Sequence, residues 1–245
     1  MRPTFVAAIA AASSLLCAAP CLADDRVVDA SRRGLTGFEL TLRPGFGGAP
    51  SDSPLRLAPG ATLPGGSSLL SGAAPYGPGL VVNGSVGYRF HPLLSTGLRL
   101  GIRQASDASL AGARLVRSAF DVGVYFRAYP LATTPSIARH LDPWVSLGVG
   151  YMRDNQAIHQ GNRLEGLDHV AVGVPLGIGI DWRVLTNLSV GPSFEYALAL
   201  GGSGCQTVLT NGAQTSQTCT GDASNVLEAR TYGVWSTGLD MRLTF

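Results

Sequence analysis

The stretch that decides the fold is the last one, Gly233–Phe245, GVWSTGLDMRLTF. Every second residue (Gly233, Trp235, Thr237, Leu239, Met241, Leu243, Phe245) belongs to an uncharged, mostly apolar set. The alternate set, Val234, Ser236, Gly238, Asp240, Arg242 and Thr244, carries an acid, a base and hydroxyls. Period-two alternation marks a strand, because successive side chains point to opposite faces. The same parity, traced back through the chain, predicts seven more strands.

Working outward from the C-terminus, the seventh strand is Leu188–Leu200 and the sixth His169–Arg183, where Val170, Val172, Val174, Leu176, Ile178, Ile180 and Trp182 alternate with glycines and polar residues. The fifth is Asp142–Met152, the fourth Arg114–Ala128 and the third Thr96–Gln104. The second is Leu80–Phe90 and the first Thr36–Gly47. The Pro/Gly/Ser-rich segment between the first two reads as a long loop. A short strand at Ser53–Leu57 or Ser67–Ser71 would raise the count towards ten. Further loops are expected at Ala105–Gly112, Arg153–Asp168 and Gly201–Glu228. Connections after the first, third, fifth and seventh strands are long on balance and the others short, an asymmetry typical of barrels with short periplasmic turns and longer extracellular loops.

Composition agrees. Among 245 residues, 45% are apolar but only 14% charged, against about a quarter in ordinary soluble domains. Glycine (32) and proline (15) suit strands and turns rather than helices. A net charge of +2 leaves no nucleic-acid footprint. Residues 1–23 read as a cleaved secretory signal: Arg2 precedes an apolar run from Phe5 to Ala19, and Cys21-Leu22-Ala23 offers small residues at −3 and −1. Leu16 and Pro20 argue against a lipoprotein signal, since a lipobox needs small residues there. Residues 24–33 form a short periplasmic lead-in, and 34–245 the barrel. Of the four cysteines, Cys205 and Cys219 remain after cleavage. In an oxidising compartment they are expected to form a disulfide. No His or acid cluster accompanies them, so no metal site and no cofactor are expected.

Alternation alone does not say which face meets water, so a soluble lipocalin-like barrel is the rival. Three features favour the membrane. Beyond Arg114, which opens the fourth strand, the apolar face carries no charge in any of the eight strands. Its aromatics (Phe46, Tyr88, Phe90, Phe126, Tyr151, Trp182, Trp235, Phe245) gather near strand ends, as interfacial girdles do. The opposite face is crowded with Gly, Ala and Ser, which weaken a solvent-facing strand but fit the narrow interior of eight strands. The expected class is therefore all-β, a transmembrane up-and-down antiparallel barrel.

The export signal, the meander and the terminal phenylalanine together resemble the small eight-stranded outer-membrane proteins of the OmpA-barrel, OmpX and OmpW kind, across residues 34–245. The resemblance implies an outer-membrane location among lipid and lipopolysaccharide. It also implies assembly through the C-terminal strand, with Phe245 as its signal. The expected protein is a monomer whose longer loops face outside.

On the inward parity stand Glu39, Arg43, Arg89, Arg99, Arg103, Arg117, Asp121, Arg127, Asp181, Arg183, Glu195, Asp240 and Arg242, eight bases against five acids. Buried charge must be paired. Arg242 is expected beside Glu39 across the closure, and Asp121 near Arg99 or Arg103. The expected outcome is a plugged lumen; the alternative is a narrow, mildly anion-selective pathway. A second alternative is a lipid-A-modifying enzyme, for which His169, preceded by Asp168, is the rim candidate. Ser189 and Ser193 lie too low on the neighbouring strand to serve it. The Gly148/Gly150 and Gly177/Gly179 pairs open no helix, so they fail the context test for a dinucleotide loop.

Overall fold

The computed structural model describes residues 36–48, 54–59, 79–105, 109–110, 113–132, 140–222 and 226–245. The expected signal, the lead-in and the Ser67–Ser71 candidate strand lie outside them. Eight long strands, β1 Gly37–Gly48, β2 Gly79–His91, β3 Leu94–Ala105, β4 Ala113–Ala128, β5 Leu141–Gln160, β6 Arg163–Arg183, β7 Leu188–Thr210 and β8 Tyr232–Thr244, pair antiparallel in chain order. β8 pairs with β1 (Glu39 opposite Thr244, Thr41 opposite Arg242), so the sheet has no open edge at its closure. A closed antiparallel barrel satisfies every ladder hydrogen bond internally, the condition for crossing lipid with strands. No helix among the described residues is long and apolar enough to cross a membrane.

The barrel is inside out relative to a soluble one. Leu40, Leu42, Val82, Leu98, Leu100, Ile102, Val122, Val124, Leu147, Val149, Ile178 and Ile180 are exposed outward, while Arg89, Arg242, Glu39, Asp181 and Asp240 are buried inside. Along β6 the outward apolar row runs from Trp182 to Val170, about 40 Å of strand, or about 30 Å of height at the usual ~40° tilt. Immediately beyond it, an exposed Arg153–Asp168 ion pair (2.8 Å) joins β5 to β6 on the outer surface. That pair ends the lipid belt on this wall.

Two expectations are corrected above that level. Arg153–Asp168 is not a loop: β5 and β6 continue as strands of 20 and 21 residues joined through Gly161 and Asn162. Gly161 adopts a left-handed φ of 56°, which the turn requires. Gly201–Glu228 is likewise mostly sheet. β7 runs to Thr210, turns at Asn211-Gly212 (φ 53° and 79°) and returns as a strand at Ala213–Cys219. Two successive positive φ values are what a tight hairpin turn between twisted strands demands. The extra length on this side of the barrel is thus a projecting wall built on β5, β6 and β7, not slack loop.

Cys205 faces Cys219 across that hairpin, and a disulfide joins them. Closing a loop of this size contributes about 3 kcal/mol by the chain-entropy model, confined here to the projecting hairpin. Reduction is therefore expected to expose residues 205–219 to protease while the barrel keeps its heat-sensitive gel mobility. Loss of both together would show that hairpin and barrel unfold as one.

The candidate strand at Ser53–Leu57 is present as Leu55–Leu57 and pairs with Leu227–Ala229, tying the connection after β1 to the connection before β8. Leu55 and Leu227 are buried against Ile158 and Leu167 of the projecting strands, while Arg56 and Glu228 pair on the exposed side at 2.7 Å. This short ribbon is an apolar cap over the lumen's upper end.

Candidate functional site: the charged lumen

The lumen is narrow because eight strands leave room only for side chains, and parity sends the polar residues of the staves into it. Its contents fall into three storeys.

The lowest storey surrounds Tyr129, which is fully buried. Its hydroxyl donates to Glu39 at 2.9 Å, and the Arg89 guanidinium lies 3.5 Å over its ring. Arg89 and Arg242 share Asp142 at 2.8 and 2.7 Å. Arg242 also reaches Asp181 at 3.2 Å and Glu39 at 3.8 Å. Arg127 lies 3.6 Å from Asp240 and 4.2 Å over the Trp144 ring, whose Nε1 donates to Asp181. Gly177 and Gly179 face Trp144 so closely that a Cβ on either would collide with its side chain or with Ser146. The Gly-x-Gly spacing of β6 is thus a berth for a buried indole. Arg183 sits half-buried at the lower rim.

The middle storey is organised on Glu195 of β7. It accepts from Arg99 through both oxygens (2.8 and 2.9 Å) and from Arg43 at 2.6 Å. Arg103 stands 3.8 Å away. Asp121 takes Arg99 at 2.8 Å and Arg103 at 3.1 Å. β1, β3, β4 and β7 are thereby tied across the lumen. A bidentate guanidinium–carboxylate pair is among the stronger polar contacts available, since two parallel charge-assisted bonds form at once.

The upper storey holds Arg117 against Asp154, which also accepts from Tyr232 at 3.1 Å. His169 packs edge-on against Tyr232 with ring centroids 5.7 Å apart and is fully buried. It is therefore not on a solvated rim. Ser189 and Ser193 pair with β6 far below it, opposite Arg183 and Gly179, whereas His169 faces Gly204. Gln206 donates to Glu165 above, and the Leu55–Leu227 cap follows.

Asp142, Asp154 and Glu165 are absent from the inward set read from the sequence. All three are buried and inward, so the described lumen holds seven buried arginines (Arg43, Arg89, Arg99, Arg103, Arg117, Arg127, Arg242) against eight buried carboxyls. The excess of base counted from sequence disappears. Each of the three lies at or beyond a strand end drawn from alternation: Asp142 opens its strand on the parity of Trp144, and Asp154 is one inward step beyond Met152. Small spaces remain, including cavities of about 30 Å³ beside Asp154 and beside Asp240, each of a size for a water or two or one monatomic ion. No group of three or more His, Cys or acidic residues able to hold a metal occurs among the described residues.

No protein-family model and no curated protein matches the chain. Solved structures do. A major outer membrane protein from Thermus thermophilus matches with a TM-score of 0.53 at 11% identity, over 84% of this chain and 99% of that one. The outer membrane protein OprG from Pseudomonas aeruginosa matches with a TM-score of 0.51 at 13% identity, over 87% and 99%. Identities this low speak for the fold alone, and they agree with the closed ring of eight strands, the outward apolar belt and the inward charges. The chain has the fold of the small eight-stranded outer-membrane β-barrels.

Proposed function

We propose that this protein is an integral outer-membrane barrel with a plugged lumen and a structural or surface-interaction role, rather than a pore or an enzyme. The observation that carries the reading is the lumen itself, filled from Arg242 at one end to the Leu55–Leu227 cap at the other. With the N-terminus of β1 and Phe245 on the periplasmic side, the connections after β1, β3, β5 and β7 face outside. The projecting wall then stands among lipopolysaccharide as the part available to partners. Its Ala213–Cys219 strand is uncharged and largely polar, with most of its residues exposed. Phe245 closes the strand read by the assembly machinery, and the barrel acts as a monomer.

The near balance of buried acid and base weighs against an anion-selective pathway, and the enclosure of His169 weighs against lipid-A chemistry at the rim. Planar-bilayer recording tests the plug. The expected result is a silent membrane after confirmed insertion. Steady unitary currents that change with Asp121→Asn would replace the plug with a channel.

A further inference from the structure

The middle storey is not neutral. Arg43, Arg99 and Arg103 bring three guanidiniums to two carboxylates, Glu195 and Asp121. The lumen as a whole is near balance, but the two carboxylates of the neighbouring storeys that share a cavity with this one are engaged by other arginines. Above, Asp154 is matched by Arg117 and further satisfied by the Tyr232 hydroxyl; below, Asp240 is matched by Arg127. Burying an uncompensated charge inside a lipid-wrapped lumen is costly, so a counter-charge is favoured there.

The shortfall is concentrated on one residue. Arg99 directs its donors to Glu195 and Asp121, and Arg43 binds Glu195. Arg103 has one nitrogen, Nη2, at ion-pair distance from Asp121, while its buried Nε and Nη1 meet no hydrogen-bond acceptor among the described residues. Arg103 is nevertheless nine-tenths buried. It lies between two cavities, one of about 30 Å³ and one of about 10 Å³. The larger is lined, beside Arg103, by Gly47, Gly79, Ala105, Ala119 and Arg117. Asp154 also borders it, but that carboxylate is engaged by Arg117 and Tyr232. A space of that size takes a water or two, or one halide-sized ion, and no organic molecule.

We propose that Arg103 holds a small inorganic anion of chloride size in the upper cavity, as a resident counter-ion of the charged plug. The anion accepts from the Arg103 nitrogens that the carboxylates do not reach, and it brings the middle storey to neutrality. It is a structural ligand and does not require that the lumen conduct, so a silent bilayer leaves it standing.

Two measurements test it on the full barrel. Crystals of the wild-type protein grown in sodium bromide should show an anomalous peak within hydrogen-bond reach of Arg103. Peaks confined to the outer surface, or none in the lumen, would overturn the site. Unfolding of the wild type should be about threefold or more slower in chloride than in gluconate at equal ionic strength, by the linkage of ligand binding to stability. Arg103→Gln removes the charge excess with the donor, and should unfold at the same rate in both salts. Equal rates for the wild type would sink the proposal, as would a chloride effect undiminished in Arg103→Gln. Should that variant fail to fold, the bromide position and the wild-type salt comparison still decide.

Discussion

Glu195→Ala is expected to destabilise the barrel by about 3–5 kcal/mol, the usual consequence of removing one partner from a buried ionic cluster. The reason is the hub geometry. Glu195 accepts from Arg43 and Arg99 and stands near Arg103, so its loss leaves three guanidiniums facing Asp121 alone. The measurement is urea unfolding in detergent micelles, followed by the gel shift between folded and unfolded forms. Glu195→Gln should fall between the two, because the amide keeps part of the hydrogen bonding without the charge. Arg153→Ala is the control. It removes an ion pair of similar length, 2.8 Å, but on the exposed surface, where water and salt already weaken the attraction. A Glu195→Ala barrel as stable as the Arg153→Ala barrel would mean that the lumen network is ornamental to folding.

The second large effect is expected on the opposite face. Val124 is exposed on the outside of β4, between Phe120 and Phe126. In water, an arginine there would be harmless or helpful. In a bilayer, Val124, two outward steps below the position paired with Arg153, lies well inside the belt, and Val124→Arg should cost about 2–4 kcal/mol. Moving the same substitution to Gln104, near the upper end of β3, should cost much less, because the penalty falls towards the interface. Equal, negligible costs at both positions would identify a soluble barrel and overturn the membrane assignment.

The staves are legible in the sequence for a physical reason: within lipid the two faces of a strand meet opposite solvents, so the pattern is binary. Gly233–Phe245 and His169–Arg183 show it without a break. Above the lipid that contrast fades. Asp168 and Arg153 point outward into water while Asp154 and Gln156 point inward, so polarity occurs on both faces and the strand reads as loop. That is why alternation ends β5, β6 and β7 early and does not reveal Asp154 or Glu165. One local signal survives there, Asn211-Gly212, whose pairing of residues tolerant of positive φ marks a hairpin turn.

The network is legible in membership but not in geometry. Parity places Glu195 inside; nothing local says that it meets Arg43, 152 positions away. That meeting depends on how far each strand is shifted against its neighbour around the ring. The role of Tyr129 is hidden for a related reason, since it lies just beyond the end of β4 and no alternation points to it.

The cross-lumen pairs also act on the assembly of the barrel. A strand that slips by one residue against its neighbour exchanges its two faces. In β3 such a slip would carry Arg99 and Arg103 into lipid and bring Leu98, Leu100 and Ile102 against Asp121 and Glu195. The penalty arises twice, once for each face, and it falls on strands that are not even adjacent. The charged interior therefore works as a checksum on strand register, satisfied only when β1, β3, β4 and β7 are all in step.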